Sequence, residues 1–427
     1  MRMSSDPAYD NLRRLYSDET DGLLTEGLSG MAHAKMIAGS VTGHSSETDW
    51  LWLCSIKDLN WHQRMALLHY FGSPRAVREA SDAEFADWER VGIKWIQKVR
   101  AAANESFLSS AMQELERHHV RFYSCQHPQF PEKLHHIADC PHGLFVRGAL
   151  PDPNRPAVGI VGARVCSNYG KVIACDLAQR LAREGIPVIS GLAHGIDGIA
   201  QQSAFENGGF TYGVLGCGPD ICYPRQNIDL FLRLCSPSGT NGGILSEYAC
   251  GVQPMKMYFP QRNRIISALS DVLVVIEARK GSGSLITADF ALDQGKEVFA
   301  VPGRCSDERS EGCNHLIREG ASIYLSGEDF MTRMKELWED AGYHVGTCER
   351  CEQDHSMDDS SSEISEGDDR ELTERILEMM DLEPVDAGTL CKRSGLSMSE
   401  VSGAILQLQL EGKISEVYRS CYARNTI

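Results

Sequence analysis

The spacing of hydrophobic positions changes its period along the chain. From Trp50 to about residue 115, apolar residues recur at helical spacing in "DWLWLCSIKDLNWHQRMALLHYFGSPRAVREASDAEFADWERVGIKWIQKVRAA", with breaks at "FGSP" and "VGI". This period predicts a small helical unit. Residues 157–325 instead alternate short, continuous apolar runs with amphipathic stretches. "AVGIVGA", "IPVIS", "FTYGVLG", "GGILSEY", "DVLVVIEA", "KEVFAVPG" and "SIYL" read as strands. Helices are predicted over residues 169–183, around 197–207, from about 260 to 269, in "SLITADFALDQG" and, briefly, at "NHLIREG". Strands that are apolar on both faces and separated by helices predict a mostly parallel, Rossmann-like α/β sheet covered on both sides.

The flanking segments have other patterns. Residues 1–48 are polar and rich in Ser, Thr and Gly, and read as disordered apart from one short helix around "AYDNLRRLYS". "VRFYSCQHPQFPEKLHHIADCPHGLFVRGAL" reads as loops with short strands. Residues 331–343 predict a helix leaving the sheet, and 344–370 an acidic, Ser-rich linker. In residues 371–427, "ELTERILEMM", "DAGTLCKRSG" and "SMSEVSGAILQLQLEGKI" predict three helices followed by the strand-like "SEVYRSCYAR", the order of a winged helix. The expected division is therefore 1–48 disordered, 49–118 helical, 119–330 Rossmann-like, 331–370 helix and linker, and 371–427 winged helix.

Composition and charge narrow the partners. A hydrophobic content of 42% is ordinary for a chain that packs cores of its own. No run of about 18 apolar residues marks a membrane span, and the N-terminus lacks the apolar core of a signal peptide. The expected location is the cytoplasm, and the 15 cysteines, without framework spacing, read as free thiols there. The formal net charge of -17 is unevenly spread: residues 331–427 hold 10 basic and 21 acidic residues, whereas residues 155–330 hold 16 and 18. A nearly neutral middle can still gather local cations around an anion.

Candidate chemistry gathers at the predicted strand ends. "GIVGARVCSNYG", "SGLAHGID", "GVLGCGPDICYP" and "EARKGSGSLITA" are glycine-rich turns, where ligands of doubly wound sheets collect. Gly162 and Ala163 permit close backbone approach, and Arg164 projects from a strand end. Ser282, Gly283 and Ser284 precede a helix, whose free N–H groups suit an anion. "KMYFPQRNR" sets Lys256, Arg262 and Arg264 around Phe259, Pro260 and Asn263. With Pro260 at the first helical position, both arginines fall in or next to the first turn, where they oppose the helix dipole unless an anion offsets them. Phe259 offers a ring on which a base could stack.

Signals for catalysis and for cofactors are absent. There is no GxGxxG, Walker A, GxSxG or HExxH motif and no paired carboxylate arrangement, so no catalytic residue, cofactor or metal is expected. Glu247, Glu277 and Asp197, each near a strand end, are expected to hold the N–H groups of their own loops. Cys348 and Cys351 in "CERC", with His344 and His355 nearby, lack a second pair at zinc-ligand spacing.

Taken together, "GIVGAR", "VISGLAHGID", "GVLGCGPDICYPRQN", "LSEY", "YFPQRNRIISALSDVLVVIEARKGSGSLITADFALDQGKEVFAVPG" and "GCNHLIREGA" strongly resemble the DprA/Smf (DNA-processing protein A) family, densely over about residues 120–325. The helical segment looks like that family's N-terminal helix-hairpin-helix or SAM-like domain, and the C-terminal module like its winged helix. The resemblance implies a non-enzymatic protein that binds single-stranded DNA in natural transformation, protects the incoming strand, helps load the RecA recombinase and acts as a homodimer. The family's Gly-Ser-Arg turn is matched by Gly162, Ala163 and Arg164, its basic residue before the FPxRNR helix by Lys256, and that motif by Phe259, Pro260, Arg262, Asn263 and Arg264. Its Ser-Gly-Ser turn is matched by Ser282, Gly283 and Ser284. His194 stands where members often carry Arg, and "SEYACGVQP" lacks the family's Pro after the Glu.

Two other readings use the same residues differently. A phosphoribohydrolase on a related sheet would need a PGGxGTxxE signature, and "KGSGSLITA" has no Glu in the matching place. A general recombination or repair accessory protein would keep the DNA site without a role in transformation. A winged helix that reads duplex DNA is disfavoured, since residues 397–410 contain no basic side chain.

Overall fold

The structure, a computed structural model, describes residues 45–85, 95–236, 241–340, 342–343, 373–377, 379–380, 385–418 and 421–424. The expected N-terminal segment up to residue 44, the acidic linker and the Cys348/Cys351 pair with its histidines lie outside the described residues.

The helical part begins with α1 (Glu47–Ser55), α2 (Trp61–Phe71), α3 (Pro74–Glu79), α4 (Ile96–Ala102) and α5 (Glu105–Arg117). Residues 45–48, grouped on the sequence with the polar N-terminal segment, open α1 through a capping box. The Ser46 hydroxyl accepts from the Asp49 N–H at 3.2 Å, and the Asp49 carboxylate accepts from the Ser46 N–H at 3.1 Å. α1 is buried almost all round because it is wedged between helices and sheet. Trp52 donates its indole N–H to the Ala102 carbonyl at 2.7 Å, while Trp50 and Trp61 each stack with the buried His142.

The sheet has nine strands: β1 (Arg121–Ser124), β2 (Gly143–Gly148), β3 (Val158–Gly162), β4 (Val188–Ser190), β5 (Thr211–Leu215), β6 (Gly242–Ser246), β7 (Val272–Ile276), β8 (Glu297–Ala300) and β9 (Ser322–Ile323), in the order β1-β2-β6-β5-β4-β3-β7-β8-β9. From β6 to β9 all neighbours are parallel, and β1 and β2 extend the β6 side as antiparallel strands. The connecting region read as loops with short strands thus supplies two members of the sheet. β7 shows why these strands read as unbroken apolar runs. Val272, Val274 and Ile276 pack on one face with α6 (Asn168–Arg183) and α7 (Ile196–Glu206). Leu273 and Val275 pack on the other face with α9 (Tyr258–Leu269) and α10 (Gly283–Asp293).

The short helix α8 (Ile228–Leu234), between β5 and β6, was not foreseen. The helix expected at "NHLIREG" starts earlier, as α11 (Glu308–Arg318), and α12 (Gly327–Asp340) follows β9. The C-terminal residues form β10 (Val385–Asp386), α13 (Ala387–Ser394), α14 (Met398–Leu410), β11 (Ile414–Tyr418) and β12 (Cys421–Arg424) around a core of their own that includes Ile376, Leu390, Val401, Ile405 and Leu408. The three strands pair in the order β10-β12-β11, which supplies the wing.

The winding order places the site. From β3 the chain steps outward through β4, β5 and β6, then returns through α9 to β7 on the other side of β3. α9 is therefore the helix that crosses the switch in strand order, and its N-terminus lies over the carboxyl ends of the central strands.

Candidate nucleic-acid interface

The β3 turn is shaped by backbone crowding. A Cβ on Gly162 would run into the Ile276 carbonyl oxygen of the adjacent strand, so no larger residue fits there. Gly195, at φ +87°, similarly abuts the Ala163 carbonyl, and the Ile196 N–H donates to that same oxygen at 3.2 Å. With the inner side of the turn filled, Arg164 projects outward and is exposed. Its guanidinium carbon lies 5.8 Å from the centre of the Phe259 ring, and its carbonyl oxygen is 2.7 Å from the His194 Nδ1. No carboxylate pairs with Arg164 among the described residues.

α9 starts at Tyr258, so Pro260 is its third residue and not its first. The third N–H of a helix has no intrahelical partner, and proline costs nothing there. Phe259 is half-buried, its ring against Gly216 (3.1 Å from where a Cβ would stand) and 5.5 Å from the ring of Tyr223 at a tilt of 34°. Lys256 is exposed just before the helix, between the exposed Met255 and Met257.

Arg262 and Arg264 correct the sequence reading. Both lie in the second turn of α9 and point inward, 5% and 3% exposed. Arg262 donates to the Gly191 carbonyl at 2.9 Å and to the Val214 carbonyl, the ends of β4 and β5. Burial lowers its pKa to about 10, with the Asp197 carboxylate acting the other way, and burial raises that of Asp197. Arg264 places Nε 2.7 Å from Asp139 and Nη2 2.8 Å from Glu247. Burial alone would depress its pKa, but these carboxylates outweigh burial and hold it above the ordinary guanidinium value. The two arginines therefore brace α9 against the sheet and the β1–β2 connection. They are not an exposed cluster awaiting a counter-ion.

The Ser-Gly-Ser turn joins this surface from the β7 side. Ser282 precedes α10 but makes no capping bond, and its hydroxyl instead meets that of Ser284 at 2.7 Å. The first N–H groups of α10 are thus without a side-chain cap. A Cβ on Gly283 would meet nothing within 4 Å, so the space over the helix start is open. Asn263 ties the two helices together: it donates to the Gly283 carbonyl at 3.2 Å and accepts from the Arg262 Nε at 3.2 Å.

The structure thus brings Arg164, Phe259, Asn263 and Gly283 onto one surface, and Lys256 is exposed two residues before the helix that carries Phe259 and Asn263. Tyr223, 44% exposed beside Phe259, was missed by sequence reasoning. The only signal was an aromatic residue ahead of Pro224 in a strand-end loop. One of the three acids behaves as expected: Asp197 accepts from the Gly191 N–H of its own loop at 3.2 Å. Glu277, at φ +54°, instead holds the neighbouring β3 turn, accepting from the Ser167 N–H at 2.8 Å and from its hydroxyl. Glu247 holds Arg264 instead of its own loop. Among the described residues, no group of three His, Cys, Asp or Glu could hold a metal ion, and no helix is long and apolar enough to cross a membrane.

A family model described as DNA recombination-mediator protein A matches residues 121–335, and one described as DprA winged helix domain matches residues 362–417. The chain is 43% identical over 206 residues to the DNA processing protein DprA of Streptococcus pneumoniae, covering 48% of this chain and 71% of that one. The chain belongs to the DprA/Smf family. It is also 30% identical over 389 residues to the protein Smf of Escherichia coli, covering 88% of this chain and 97% of the relative. The crystal structure of the Streptococcus pneumoniae DprA superposes with a TM-score of 0.57 at 34% identity, over 67% of this chain and 98% of that one. Every DprA/Smf motif quoted above lies inside the span matched by the first family model.

Proposed function

We propose that the surface at the carboxyl ends of β3, β5 and β7 binds single-stranded DNA without chemically altering it. The observation that carries this reading is the pairing of an exposed Arg164, free of any carboxylate among the described residues, with the half-buried Phe259 ring 5.8 Å away. Phosphates contact Arg164, Lys256 and the open start of α10 at Ser282, Gly283 and Ser284, and a base lies against Phe259. Gly162, Ala163, Pro260, Asn263, Arg262 and Arg264 shape and brace that surface. Aromatic stacking beside cations suits a single strand, whose bases are free to splay.

In this reading the protein is a cytoplasmic homodimer that shields incoming DNA during transformation and helps load RecA onto it. Residues 49–118 and 371–427 form flanking domains, and the winged helix contacts a protein in preference to duplex DNA. The phosphoribohydrolase alternative is not favoured, because Glu247, Glu277 and Asp197 are all buried and already bonded.

A gel-shift or anisotropy titration with oligo-dT tests the site. The double substitution Arg164→Ala/Lys256→Ala should remove most of the affinity; unchanged binding would refute the assignment.

A further inference from the structure

Glu277 is the first residue past β7, and it is 3% exposed at φ +54°. A residue with a Cβ is disfavoured at that φ. It persists where its surroundings over-determine it, and such positions cluster at functional sites. Here the surroundings are explicit. One carboxylate oxygen accepts from the Ser167 N–H at 2.8 Å, and the other accepts from the Ser167 hydroxyl. That hydroxyl in turn accepts from the Gly170 N–H at 3.2 Å and caps α6. A Cβ on Gly170 would stand 2.6 Å from the carboxylate, so the first turn of α6 carries a glycine where the acid needs room. On the next residue, the Ala278 carbonyl accepts from the Gly312 N–H of α11 at 2.7 Å.

This clamp joins two segments of the surface. Ser167 closes the β3 turn three residues after Arg164, and the crowding of Gly162 against Ile276 holds the other end of that turn. Arg164 and Val165 stand exposed between the two anchors. Glu277 leads to the open start of α10 through a turn in which the Ser282 N–H donates to the Arg279 carbonyl at 3.1 Å. We propose that Glu277 is a positioning residue of this surface: it touches no DNA, and by clamping Ser167 it sets Arg164 at a fixed distance from the start of α10. The inference rests on the single-stranded DNA reading above. Its sign is opposite to that of charge alone. A carboxylate near the surface repels phosphate, so removing a mere bystander would tighten binding, whereas removing a clamp weakens it.

The test is oligo-dT anisotropy across a salt series with the full chain, at a temperature where circular dichroism shows each variant folded. Glu277→Ala should weaken binding roughly tenfold and lower the slope of log affinity against log salt by about 0.7, the value for one phosphate contact no longer met. Glu277→Gln keeps an acceptor for the Ser167 N–H and should recover part of that loss. Glu277→Gly frees the backbone at φ +54° without restoring the clamp, so it should melt above Glu277→Ala and bind no better. In an Arg164→Ala background, Glu277→Ala should cost less than about twofold, because the residue it positions is gone. If the Glu277 variants do not fold, Ser167→Ala decides, since it weakens the same clamp from the β3 side. It should reduce affinity roughly threefold, and unchanged affinity would refute the role.

The positioning role is also refuted by parent-like or tighter binding in Glu277→Ala, by parent-like binding in Glu277→Gly, or by an equal loss with and without Arg164. The DNA site itself stands in those cases if Arg164→Ala/Lys256→Ala still abolishes binding. If the parent protein binds no oligo-dT, the DNA reading falls and this inference with it.

Discussion

The Arg164 guanidinium lies 5.8 Å from the centre of the Phe259 ring. This contact joins the β3 turn to the start of the helix that crosses the switch in strand order, two segments far apart in the chain. It sets a cation beside an aromatic face at the carboxyl edge of the sheet, and each side predicts a different binding signature.

Phe259→Ala should weaken oligo-dT binding by about 1–3 kcal/mol, roughly 5- to 150-fold, with the salt dependence almost unchanged, because stacking releases no counterions. Lys256→Ala should instead lower the slope of log affinity against log salt by about 0.7, the value for one single-strand phosphate contact. Anisotropy titrations across a salt series separate the two. A changed slope in Phe259→Ala would count against stacking.

Arg264→Ala should act on stability. It leaves Glu247 buried without its cation, a loss of about 3–5 kcal/mol that urea unfolding would measure. Arg264→Lys keeps the charge but cannot span both Asp139 and Glu247 with a planar fork, and should fall between. A loss below about 1 kcal/mol for Arg264→Ala would mean that the pair does not brace α9.

Two glycines should respond oppositely to alanine. Gly162→Ala drives a methyl group into the Ile276 carbonyl and should cost on the order of 3 kcal/mol or more, or prevent soluble expression. Gly283→Ala meets open space and should leave the melting temperature nearly unchanged. It should still weaken oligo-dT binding, since the methyl group occupies the room over the start of α10. Equal melting losses in both variants would contradict this geometry.

Asp289 predicts a pH effect independent of DNA. Burial, with Asp293 adding to it, raises its pKa to about 6. The folded state then holds a proton that the unfolded state releases near pH 3.9, so its contribution to stability falls as pH rises from about 4 through about 6. Asp289→Asn should be more stable than the parent protein by about 1–2 kcal/mol at pH 8, and equal to it near pH 4. Urea midpoints at the two pH values check this. A gap of the same size at both would exclude titration of Asp289.

Much of the architecture was legible in the chain because its signals are local. "VLVVI" reads as a strand buried on both faces whatever its neighbours, and "GIVGAR" and "SGLAHGID" read as strand-end turns from their glycines alone. The boundaries that were missed had weaker local signals. The Ser46–Asp49 capping box sits in a polar stretch, α8 is only 7 residues long, and β1 and β2, read as short strands among loops, join the sheet because β2 pairs with β6 and β1 with β2.

The motif "KMYFPQRNR" marks the division most clearly. Its sequence by itself determined that a helix starts beside an aromatic residue and a group of cations, and it carried the family resemblance that the comparisons bear out. Which cations face solvent was decided only by the tertiary structure. The acceptors for Arg262 are carbonyls of Gly191 and Val214, and those for Arg264 are carboxylates of Asp139 and Glu247. These partners come from distant segments that meet α9 only where it crosses the sheet. Charge can be counted along a chain, but its pairing depends on distance in space, and that leaves Arg164 and Lys256 outside and turns Arg262 and Arg264 in.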